Sequence, residues 1–224
     1  MALPGISPLA EDTPDTGVRR HLWTRTEAAR VLEAGLFGPD QRMELIAGEL
    51  IDKMTQNRPH GISRSKAQRV LEAAFGEACY VSVQTPLAID EENEPEPDLM
   101  VVIGSPDDYD SHPTASSVLL VMEISDTTVR YDQTTKAHLY AFAGVAEYWV
   151  LILKTRTLEV RRNSISLPES PNGYGYRSLD LYRETDTVSP LHAPNVAIPV
   201  SSLLPRTKAS HLSDRHNNNP LLPH

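Results

Sequence analysis

The chain has 224 residues, 40% of them hydrophobic, and a formal net charge of −9. That length suits one domain with a full core, and the negative balance argues against strong non-specific nucleic-acid binding, although carboxylates gathered at a cation site would add to it. A single cysteine, Cys79, excludes an intramolecular disulfide; with no apolar run near the ~20 residues that span a bilayer and no basic-then-apolar leader, the expectation is a cytoplasmic protein.

Residues 1–17 are rich in Pro, Gly, Asp and Thr, and residues 206–224 carry Asn217-Asn218-Asn219 and further prolines. Both ends read as disordered tails around one domain at 18–205. Thr24-x-x-Glu27 is a capping box that opens a helix to about Glu33, and Gly35 ends it. Met43–Ile46 and Glu49–Ile51 flank Ala47-Gly48 and read as a hairpin. Pro59 starts a second helix, with Ile62, Val70, Leu71 and Ala74 expected on its apolar face.

Strands follow at Tyr80–Ile89, Leu99–Ile103 and Val118–Ile124. A helix is expected from Val129 to Ala143, closed by Gly144. Glu147–Leu153 and Thr157–Arg161 form a strand pair, and Tyr174–Leu181 is a late strand. Strands mixed with flanking helices indicate an α/β sheet domain.

Two acidic residues stand beside apolar strand runs. Asp98 precedes Leu99–Ile103, and Glu123 follows Val118–Met122. A lone carboxylate at the edge of a core strand is costly to bury without a partner. Two of them, with Lys136 on the following helix, suggest a site that binds a divalent cation and polarises a phosphate. The bland alternative is a pair of ordinary strand-end carboxylates, with Lys136 in a surface pair with Asp132. Glu44 is a third acidic candidate, set against a solvent-facing strand residue. Asp132, Tyr140, Gln84 and His60 form a weaker tier. Trp149, Tyr148 and Phe142 read as core, and Cys79 as a small buried residue. There is no phosphate-cradling glycine loop, no Cys/His zinc spacing and no nucleophile elbow in the sequence.

Four ordered stretches carry a resemblance: Met43–Leu50, Glu94–Leu99, Val121–Asp126 followed by Tyr131-Asp132 and Lys136, and Gly144–Val150 with its Glu147-Tyr148-Trp149. Together they resemble the Uma-two family of restriction-endonuclease-like proteins, within the PD-(D/E)XK nuclease superfamily, over about residues 20–205. The resemblance implies a restriction-endonuclease-like mixed β-sheet flanked by helices. It implies a Mg²⁺- or Mn²⁺-dependent endonuclease that hydrolyses phosphodiester bonds of nucleic acid, with DNA the expected substrate, and a homodimer is plausible. Glu44, Asp98, Glu123 and Lys136 match the catalytic positions. Asp98, Glu123 and the backbone carbonyl of Ile124 are the expected metal ligands. Ser125 stands where the general superfamily motif has lysine, and Lys136 matches the position to which this family moves it. Met43 stands where the family more often has an aromatic or other residue.

Two other functions compete. One is a nuclease-fold module that binds nucleic acid or protein without cutting. The other is a metal-dependent phosphoesterase for small substrates, which a closed acidic pocket would favour. An open cleft rimmed by Arg64, Lys66 and Arg69 would favour DNA.

Overall fold

The computed structural model describes residues 20–38, 41–53 and 56–207. The tails expected at 1–17 and 206–224 lie outside the described residues, apart from Arg206 and Thr207. The first helix, α1 (Arg25–Glu33), forms as its capping box dictates. Thr24 Oγ1 accepts from the Glu27 N–H, and the Glu27 carboxylate accepts from the Thr24 N–H.

Strands β1 (Met43–Ile46) and β2 (Glu49–Asp52) form the expected hairpin. Its turn residues Ala47 and Gly48 have φ of 51° and 73°, as a two-residue primed turn requires. Gly48 also meets a close approach, since a Cβ there would lie 2.6 Å from Leu22 Cβ. The Ala47 N–H donates to Asn93 Oδ1 at 2.8 Å, and the Glu94 N–H to the Leu45 carbonyl at 2.8 Å. These bonds fix β1, and Glu44 with it, against the segment that leads into Asp98.

Helix α2 (Arg58–Phe75) starts at Asn57, whose side chain accepts from the His60 N–H. Its buried stripe is His60, Ser63, Ala67 and Leu71. Ile62, expected on that face, falls off the stripe and is exposed, because the stripe steps by three and four from His60.

Strand β3 (Cys79–Val83) is shorter than the expected Tyr80–Ile89. It pairs with β4 (Leu99–Ile103) only as far as Val83–Leu99. Beyond that point the partner segment is Glu94-Pro95-Glu96-Pro97, and its prolines offer no N–H to a ladder. Gln84, with φ of 52°, turns the chain away.

Strand β5 (Val118–Ser125) leads through α3 (Val129–Tyr131), a π-helical segment Asp132–Lys136 and α4 (Ala137–Phe142) to β6 (Glu147–Ile152). The helix expected over Val129–Ala143 is therefore interrupted by wider turns, a feature common at functional sites. Strands β7 (Thr157–Ser166) and β8 (Tyr174–Arg183) run further than expected. Two short strands absent from the sequence reading, β9 (Thr187–Val188) and β10 (Ile198–Pro199), pair with each other.

The central sheet has six strands in the order β3-β4-β5-β6-β7-β8. Only β5 and β6 are parallel, as a helical crossover between them demands. Alternate residues divide the core between the two faces. Leu99, Val101, Met122, Trp149 and Leu71 fill the α2 side. Met100, Val102, Val121, Tyr140 and Tyr148 fill the α4 side. Trp149 and Tyr148 are core as expected, whereas Phe142, at the open end of α4, is 41% exposed and stacks edge-on against Tyr174. Cys79 is half-buried. No helix among the described residues is long and apolar enough to cross a membrane.

Candidate active site

Antiparallel pairing of Leu99 with Met122 brings Asp98 beside Glu123. Backbone donors then tie the two carboxylates together. The Asp98 N–H donates to Glu123 Oε2 at 3.3 Å, and the Ile124 N–H donates to Asp98 Oδ2 at 2.9 Å. Both acids are 4% exposed.

Asp98 has further partners. Its Oδ2 lies 3.0 Å from His60 Nε2, and its Oδ1 accepts from Gln56 Nε2 at 3.2 Å and from Gln84 Nε2 at 3.4 Å. Burial opposes the charge on Asp98, but the hydrogen bond and charge of His60, then Lys53 and the Ile124 N–H, outweigh it and hold the carboxyl down at about 2.

Glu123 is driven the other way. Burial, opposed by Lys136 and reinforced by Asp98 and Asp132, pushes it up to about 7. Its Oε1 accepts from Lys136 Nζ and from the Tyr140 hydroxyl, each at 2.9 Å. Lys136 Nζ also lies 3.0 Å from Glu44 Oε2, which accepts from the Glu96 N–H. Burial works against the ammonium of Lys136, yet Glu123, Glu44 and Asp132 more than offset it and hold its pKa well above that of an ordinary lysine. The crossover explains this placement. The π-helical turn and α4 return from the end of β5 and lay Lys136 and Tyr140 over Glu123.

Glu44, Asp98, Glu123, Ile124 and Lys136 thus line one cavity of about 300 Å³. The surface pair between Lys136 and Asp132, the bland alternative to a role in the site, does not form. Lys136 is 3% exposed, and Asp132 instead accepts from Thr128 Oγ1 at 2.7 Å. Gln84 lies just past the end of β3 rather than within a strand, and reaches Asp98 from there. Of Arg64, Lys66 and Arg69, whose rim around an open cleft would favour DNA, only Arg64 approaches the cavity, through a 2.6 Å bond to Gln56. Lys66 bonds to the Leu204 carbonyl and Arg69 to the Ser65 carbonyl.

The sequence reading gave no role to several lining residues, among them Lys53, Gln56 and Asn57. The signal for Lys53 was present in the hairpin. Once Met43 pairs with Asp52, the next residue lies across from Arg42, and the Lys53 N–H donates to the Arg42 carbonyl at 2.8 Å. The buried Tyr131 hydroxyl has no hydrogen-bond partner among the described residues.

The donor set is of the kind a hard divalent cation takes. Among the described residues no three of His, Cys, Asp and Glu converge as a side-chain cage. Two carboxylates and the Ile124 carbonyl would supply part of an oxygen shell and leave the rest to water, as Mg²⁺ prefers. The elevated pKa of Glu123 marks a carboxylate that one lysine does not fully compensate, and an added cation would favour its ionised form.

A mixed sheet with a helix on each face, and an acid pair at adjacent strand positions beneath a crossover lysine, defines a nuclease-fold protein. The model of the Uma2 family, described as "Putative restriction endonuclease", matches residues 27–201, and the chain belongs to that family. Among solved structures, a putative nuclease belonging to DUF820 from Anabaena variabilis matches with a TM-score of 0.57 at 15% identity. The match covers 80% of this chain and 96% of that one, and shows a shared fold. No curated protein matches.

Proposed function

We propose that this chain is a divalent-metal-dependent endonuclease that hydrolyses phosphodiester bonds of DNA, its domain spanning residues 18–205. The observation that carries the reading is the convergence of Asp98, Glu123 and Lys136 on one cavity, at hydrogen-bonding distances of 2.9–3.3 Å. Asp98, Glu123 and the Ile124 carbonyl would hold Mg²⁺ or Mn²⁺. The bound ion would lower the pKa of a coordinated water and supply a counter-charge for the phosphate. Lys136 places a permanent ammonium where charge builds on the attacked phosphate, and Glu44 and Tyr140 hold that ammonium and Glu123 in register. His60 keeps Asp98 ionised and fixes its orientation. Cutting both strands of a duplex would require two such sites, which favours a homodimer, and the single cysteine suits a cytoplasmic setting.

The test is a Mg²⁺-dependent plasmid-nicking assay with chelator and Asp98→Ala controls. Nicking that needs both the metal and Asp98 supports the reading. A second reading, a module that binds without cutting, draws support from the net charge of −9. It also draws on the way Lys136 is already paired with Glu44 and Glu123. It prevails if the folded wild type binds nucleic acid and never cuts it with Mg²⁺ or Mn²⁺.

A further inference from the structure

Lys53 is a half-buried cation to which the chemistry above gives no role beyond its charge beside Asp98. It lines the same cavity as the acid pair, and its side chain is 12% exposed. Among the described residues, its ammonium hydrogen-bonds only to Glu96: the backbone carbonyl, and Oε1 at 3.5 Å. An ammonium has three protons to donate, so one donor has no acceptor among the described residues. Glu96 is shared, because Arg42 pairs with the same Oε1. Arg64 adds a third cation, and its bond is to the neutral Gln56, itself a lining residue. On this side of the cavity Lys53, Arg42 and Arg64 gather beside Glu44, Glu96 and the exposed Asp52, in a chain that is negative overall. Such a chain can hold a polyanion only where local cations are concentrated.

We propose that Lys53, flanked by Arg42 and Arg64, forms the seat for a backbone phosphate of the nucleic-acid strand, opposite Asp98 and Glu123. The proposal rests on the nuclease reading and names the part of the site that takes the substrate's charge. Arg42 and Lys53 flank hairpin β1–β2 and Arg64 lies on α2, whereas the metal-holding acids Asp98 and Glu123 come from the start of β4 and from β5. Binding and bond cleavage therefore sit on different elements and can be separated by mutation.

The test uses the full chain with a fluorescein-labelled DNA duplex. Anisotropy is read in Ca²⁺ across a NaCl series, beside a Mg²⁺ cutting assay. Lys53→Met and Arg64→Gln should each weaken binding and lower the salt slope by about one. Arg69→Gln, on the same helix but bonded elsewhere, should match the wild type. Melting curves identify any variant that fails to fold, and Arg64→Gln, at a partly exposed position, decides the matter if Lys53→Met does. A wild type that binds and cuts while these variants match its affinity and slope overturns the proposal and leaves the nuclease reading standing. A wild type whose binding depends on Lys53 and Arg64 but which never cuts supports the proposal and overturns the catalytic reading. Absence of any DNA binding overturns both.

Discussion

Nε2 of His60 lies 3.0 Å from Oδ2 of Asp98, and both residues are buried. The helix start at Asn57 delivers the imidazole to the carboxylate, so capping of α2 and ionisation of the site are mechanically linked. Asp98 has its pKa lowered from 3.8 to about 2 on folding. Its contribution to stability is present above 3.8 and lost as pH falls through about 2. His60→Ala removes the principal cause of that lowering and leaves a buried carboxylate short of a partner. The expected cost is about 1–3 kcal/mol at neutral pH. The difference in Tm between variant and wild type should be largest above pH ~4 and narrow on acidification. A difference independent of pH would show that His60 acts by packing alone.

Glu123 behaves in the opposite sense. Its pKa rises from 4.5 to about 7 on folding, so between those values the folded state holds a proton that the unfolded state has released. Stability should therefore fall as pH rises through that window in the presence of chelator. Glu123→Gln should flatten the slope, because the amide does not titrate. A wild-type Tm that is level across the window, or an unchanged slope in Glu123→Gln, contradicts the assignment.

Removal and restoration of metal should move the same quantity. Calorimetric titration with Mn²⁺ should give binding that Asp98→Ala and Glu123→Ala each abolish. Saturating Mn²⁺ should also raise Tm by mass action, more above pH 7 than at pH 5, since binding competes with the proton on Glu123. Unchanged Mn²⁺ affinity in either variant would refute shared ligation by the pair.

Much of the fold was legible because the signals were local. The capping box of Thr24 and Glu27, the Ala47-Gly48 turn and the apolar runs of β4, β5 and β6 each dictate their element without help from elsewhere. The errors arose where a partner decided the outcome. β3 ends at Val83 because the prolines sit in the neighbouring segment. Phe142, the last residue of α4, meets Tyr174 edge-on and stays exposed. Among the site residues, Asp98 and Glu123 were readable as acids beside apolar strands. The burial of Lys136 was not, since an Asp132-to-Lys136 spacing on a regular helix suggests a surface pair, and only the π-helical turn and the crossover aim it inward. Lys53 was hidden for a related reason: its role depends on the hairpin's register and on the docking of that hairpin beside Glu96.

Lys136 separates chemistry from folding least easily, and its test must allow for that. Its Nζ lies 3.0 Å from Glu44 Oε2 and 2.9 Å from Glu123 Oε1, with all three side chains buried. Lys136→Met leaves two carboxylates without their shared cation, and breaking a buried pair in this way costs about 3–5 kcal/mol. Protonation relieves that cost, so the variant should regain stability as pH falls from neutral towards 5. Lys136→Met combined with Glu44→Gln removes one of the stranded charges and should recover part of the Tm. Catalysis should not recover with it. Loss of a preorganised positive charge at the phosphate should lower the nicking rate on the order of 100-fold in the single and the double variant alike. A folded double variant that nicks plasmid at the wild-type rate would remove Lys136 from the chemistry and leave it as the buried counter-ion of Glu44 and Glu123.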